Sequence, residues 1–109
     1  MTEEDRRGAS RVLFAAYAEI IEEGSSVSTP VRVSNLSSGG CYVDMRAPLP
    51  KGASIRIKVL GARDAFNAEA TVAHVDPQLG MGLVFRNVRP EARIALRKFL
   101  WEAEHERRT

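Results

Sequence analysis

Cysteine is nearly missing from this chain. Cys41 is the single one in 109 residues, so no internal disulfide framework holds the fold. It has no ligand-like neighbour for a metal and is expected to be a small buried hydrophobe. No apolar run approaches the roughly 20 residues of a membrane-spanning helix. The start, Met1-Thr2-Glu3-Glu4-Asp5, is acidic and lacks an apolar stretch, which argues against a signal peptide; the expected compartment is the cytoplasm. Net charge is only +2, too little to argue for wholesale nucleic-acid or membrane binding. Aromatic residues make up 6% of the chain, and no strand interleaves them with basic residues. That disfavours a barrel that stacks nucleic-acid bases along a basic groove. Histidine is scarce too. His74 lies in a strand and His105 in a polar tail, neither with a Cys or Asp at a suggestive spacing, so neither catalysis nor a cofactor is expected.

What the chain does have is arginine: thirteen, against three lysines. The guanidinium is the better cation for planar, bidentate contact with phosphates and bases, although a GC-rich genome produces the same bias. The length suits one domain with one real core. Residues 1–11 are polar and charged, carry Arg6, Arg7 and Arg11, and are expected to form a mobile leader. Residues 12–22 fit a strand or a helix by periodicity, and Ala and Glu favour the helix. From Pro30 the pattern becomes clear. Val31 and Val33, then Cys41, Val43 and Met45, then Ile55, Ile57 and Val59, alternate with polar neighbours. Residues 65–76 form a longer run, and Met81, Leu83 and Phe85 alternate in the last one. Counting residues 12–22, six short strands separated by Gly- and Pro-bearing turns predict a small antiparallel barrel or sandwich. Pro90 then opens a helix to about Glu102, with Ala92, Leu96, Phe99, Leu100 and Ala103 on one face. Ile94 and Trp101 fall on the opposite face, where they need solvent or a partner: a downstream protein or a second copy of the chain. Asp44, Asp64 and Asp76 are expected in turns or facing solvent.

Chemistry concentrates in Asn35-Leu36-Ser37-Ser38-Gly39-Gly40. Asn35 and Ser37 are two apart, so in extended geometry they share a side, and both offer donors and acceptors. Gly39 and Gly40 allow a sharp turn and a close approach to the backbone. Alone, this reads more readily as a plain β-turn capped by its own Asn and Ser than as a site. Arg7-x-x-x-Arg11 is able to clamp a phosphate or stack on a base, but Arg89/Arg93 and Arg93/Arg97 repeat the spacing, and alone it reads first as a solvated charge cluster.

The order of these parts resembles the PilZ domain family over nearly the whole chain. The matching pieces are Arg7-Gly8-Ala9-Ser10-Arg11, Asn35 to Gly40, Leu49-Pro50-Lys51-Gly52, Gly82-Leu83-Val84-Phe85 and the helix from Pro90. The resemblance implies a six-stranded antiparallel β-barrel with a C-terminal α-helix, all-β apart from that helix, and makes residues 12–22 its first strand. It implies a leader at 1–11, barrel and helix over 12–103, and a polar tail at 104–109. It implies a bacterial receptor for cyclic di-GMP, not an enzyme, with that nucleotide as ligand. Arg7 and Arg11 would hold guanine faces and phosphates, Arg6 would assist with phosphate, and Asn35, Ser37 and Gly40 would line the guanine pocket. The family takes Asp or Asn at position 35; an amide has one acceptor oxygen where a carboxylate has two, so weaker binding than with Asp is expected. The alternatives are a related adaptor that binds no nucleotide and works through Ile94 and Trp101, or a nucleic-acid-binding barrel.

Overall fold

The structure, a computed structural model, describes residues 12–61 and 64–106, with the side chains of 12–15 and 103–106 excepted. Six strands and one helix follow the chain: β1 (Val12–Glu22), β2 (Ser28–Ser37), β3 (Gly40–Asp44), β4 (Ser54–Leu60), β5 (Ala65–Asp76), β6 (Gly80–Arg86) and α1 (Pro90–Glu106). The strands close into an antiparallel barrel in the order β1-β2-β3-β6-β5-β4, with β4 returning to β1. This is the expected six-stranded barrel with a C-terminal helix. Residues 12–22 are indeed a strand, because β1 is hydrogen-bonded on both sides, to β2 and to β4. That double pairing outweighs a helix propensity worth a few tenths of a kcal/mol per residue.

The alternating apolar residues fill the interior. Val31, Val33, Val43, Ile55, Ile57, Val59, Phe66, Val72, Met81 and Leu83 are all buried, each contributing about 1.5–3 kcal/mol of apolar burial. Phe66 and Phe85 meet edge to face with centroids 5.3 Å apart. Cys41 joins this core, and burial pushes its thiol up to about 12.

Helix α1 covers the barrel with Leu96 and Phe99. Phe99 packs where Gly61 leaves room; any Cβ there would collide with its ring. Lys98 Nζ reaches Asp64 Oδ2 at 3.0 Å, which ties the helix to the β4–β5 turn and gives Asp64 a partner. The helix runs to Glu106, past the expected end near Glu102. Among the described residues, no helix is long and apolar enough to cross a membrane.

Candidate functional site

Strict alternation along β2 would bury the wrong residue. Val31 and Val33 point inward, so Asn35 would follow them into the core. A bulge between Val33 and Asn35 prevents this: Val33 pairs with Val43, and Asn35 with the next residue of β3, Tyr42. The extra residue, Ser34, shifts the phase. Leu36 becomes the buried apolar residue, Asn35 is left half-buried on the opposite side of the strand, and Ser37 shares Asn35's side but is itself buried at the turn. The same device recurs on β5. Phe66, Ala68, Ala70 and Val72 point inward, and a bulge between Val72 and His74 sends His74 and Asp76 outward together.

The turn after β2 is held by its own serine. Ser37 Oγ accepts from Gly39 N–H and donates to the Gly40 carbonyl, both at 3.3 Å. These are long bonds that a better partner can displace, and one lone pair of the hydroxyl stays available. So the self-capped turn is real for Ser37. Asn35 differs: among the described residues its half-buried side chain makes no hydrogen bond, leaving its amide oxygen and NH2 group available. Gly40 is required for a reason other than turning. Its φ is not in the left-handed region, but a Cβ would be driven into the Leu83 carbonyl of β6. The Phe85 N–H also donates to the Gly39 carbonyl at 2.9 Å, binding the turn to β6.

Arg6, Arg7 and Arg11 lie outside the described residues. The chain does enter the barrel at Val12, which pairs with Leu36, and Leu13 pairs with Asn35. The arginine-bearing segment is therefore joined covalently to the barrel beside the Asn35–Gly40 turn. Ile94 and Trp101 are 67% and 60% exposed on α1.

Three residues not expected at a site belong to this outer face. Tyr42 Oη donates to Asp76 Oδ2 at 2.7 Å, and His74 Nε2 stands 2.9 Å from Asp76 Oδ1. The expectation that Asp76 is only a turn or solvent-facing residue, and that His74 has no Asp at a useful spacing, is thus corrected. The His74-x-Asp76 spacing places both on one face of an extended strand and was a readable signal. The pairing lowers the Asp76 carboxyl, through the hydrogen bond from Tyr42 and then that of His74. It pushes the Tyr42 hydroxyl up to about 12, chiefly because its proton is held by Asp76.

A concavity of about 410 Å³ lies elsewhere, on the outside of β1, β4 and β5, and is lined by Glu19, Arg56, Lys58, Asn67, Glu69 and Arg89 among others. It mixes both signs of charge and selects for neither.

The sequence matches the PilZ domain over residues 5–101. The fold is similar to the PilZ domain of YcgR from Escherichia coli solved with cyclic di-GMP, at TM-score 0.78 and 18% identity, covering 94% of this chain and 95% of that one. It is also similar to YcgR from Escherichia coli in complex with cyclic di-GMP, at TM-score 0.77 and 23% identity, over 94% of this chain and 48% of that one. The inhibitor of motility MotI/DgrA from Bacillus subtilis superposes at TM-score 0.77 and 20% identity, over 95% of this chain and 54% of the other. No curated protein matches the sequence significantly.

Proposed function

The chain belongs to the PilZ domain family, and we propose that it is a receptor for cyclic di-GMP that relays the bound state to a protein partner. One observation carries the reading: the β2 bulge takes Asn35 out of the core, on the same side of the strand as Ser37, at the strand end where the chain enters the barrel. Within the family, YcgR has been solved with cyclic di-GMP, and its PilZ domain shares this fold. In this reading Asn35 reads the edge of a guanine, Ser37 accepts from it, and Gly40 keeps the β2–β3 turn seated on β6. Arg7 and Arg11 clamp the phosphates and stack on the bases, with Arg6 assisting.

The ligand bridges the leader to the turn. The leader so fixed over the barrel is a new surface, a ligand-driven ordering of the kind that drives many switches. Ile94 and Trp101 on α1 are the apolar residues offered to the downstream protein or to a second copy of the chain. The protein is a regulatory binding domain in this reading, performs no chemistry on its ligand, and acts in the bacterial cytoplasm.

Calorimetric titration of cyclic di-GMP tests it. Each charge-assisted contact is worth about 1.5–3 kcal/mol, so Arg7→Ala/Arg11→Ala together should weaken binding by about 100-fold or more. Ser37→Ala should weaken it less. Unchanged affinity in the double variant would sink the assignment.

A further inference from the structure

We propose that Tyr42 is a stacking platform for a purine of the bound nucleotide, held in place by Asp76 and His74. The inference rests on the cyclic di-GMP reading and adds a specificity-determining residue to it. In the barrel's register Asn35, Tyr42, Gly82 and His74 form one row across β2, β3, β6 and β5. The bulges in β2 and β5 put both ends of that row on the outside. The Tyr42 and Asn35 backbones are therefore neighbours, one strand spacing or about 4.8 Å apart.

The ring has a prepared seat. A Cβ on Gly80 would come within 2.8 Å of Tyr42 Cε1 and 2.9 Å of Oη, and one on Gly82 would lie 4.0 Å from Cδ2 and 3.5 Å from His74 Cβ. The ring thus lies across β6 on a floor without side chains. The residue is half-buried, so part of it remains accessible. The hydroxyl is fixed by Asp76 at 2.7 Å, and Asp76 in turn by His74 at 2.9 Å. Three strands and two glycines set one ring orientation before any ligand arrives. A platform that needs no reordering on binding keeps more of its stacking affinity. Asp76 and His74 are positioning residues here; only the Tyr42 ring meets the ligand.

Stacking of a base on an aromatic side chain corresponds to roughly 5-fold to 150-fold in affinity. The test is calorimetry with cyclic di-GMP on wild type, Tyr42→Phe, Tyr42→Leu and Asp76→Asn, together with nuclear Overhauser spectra of the wild-type complex. Tyr42→Leu should bind about 10-fold to 100-fold more weakly, Tyr42→Phe should retain most of the affinity, and Asp76→Asn should fall between them. In the wild-type complex the Tyr42 ring protons should contact a guanine H8, a signature that a purely structural tyrosine would not produce. Tyr42→Leu binding within twofold of wild type, equal losses in the Phe and Leu variants, or no ring-to-H8 contact would each overturn the stacking role while leaving the nucleotide reading intact. A wild type that binds no cyclic di-GMP would overturn the nucleotide reading, and this inference with it.

Discussion

The barrel has two kinds of outer face. Around β4 the ladder is regular: its pairings with β1 and β5 run without a bulge. Arg56 and Lys58 stand out from it, opposite Glu69 and Asn67 of β5. Inside and outside alternate there as an ideal strand requires. Around β3 and β6 the neighbouring strands β2 and β5 each carry an extra residue. Glycines at 40, 80 and 82 bring strands and rings into close approach, and Tyr42, Asp76 and His74 are tied to one another. The difference teaches how a small barrel builds a site. The regular face has no means of presenting two adjacent polar groups without breaking its own alternation. The bulged face gives up ladder regularity to turn Asn35 and His74 out of the core.

Substitution should separate the faces most sharply at Gly40. Gly40→Ala drives a Cβ into the Leu83 carbonyl, so a loss of about 1–3 kcal/mol in urea unfolding is expected. Lys58→Ala on the regular face should change stability by no more than about 0.5 kcal/mol. Equal effects at the two positions would erase the contrast. A smaller effect is expected at Asn35→Asp, which replaces one acceptor oxygen by two. Affinity for cyclic di-GMP measured by calorimetry should rise several-fold, about 1 kcal/mol, while unfolding changes little. A weaker-binding Asp variant would argue that the amide donates to the ligand instead.

The smallest effect is in acid. Hydrogen bonds from Tyr42 and then His74 hold the Asp76 carboxyl below the usual carboxylate range. A value lower in the folded state than in the unfolded chain stabilises fully at neutral pH, and that contribution disappears as pH falls through the folded value. The carboxyl carbon of Asp76 should therefore titrate in NMR spectra with a midpoint below that of an unpaired aspartate. Tyr42→Phe should raise that midpoint, and an unmoved midpoint would show that the tie to Tyr42 does not perturb the carboxyl.

Much of this architecture was legible one strand at a time. Ile55, Ile57 and Val59 announce a strand with one buried side, and Pro90 with Leu96 and Phe99 announces a helix that packs. The two-residue spacing of Asn35 and Ser37 puts them on one side of the strand. Which side that is was not visible, because uninterrupted alternation from Val31 and Val33 would have made it the core. Gly40 drew notice as a turn residue, whereas its need comes from a carbonyl on β6. Tyr42 and Asp76 are 34 residues apart, and no local pattern joins them.

By itself, then, the sequence determined five of the six strands and their order, the closing helix and the residues with chemistry to offer, because side-chain periodicity and turn composition are local properties; residues 12–22, open to helix or strand by periodicity, were settled by pairing with β2 and β4. Which polar residues face outward, which glycines are indispensable and which side chains meet were decided only by the closed barrel. A bulge is a mismatch between two paired strands, and a contact across β3, β6 and β5 exists only once register has brought those strands together.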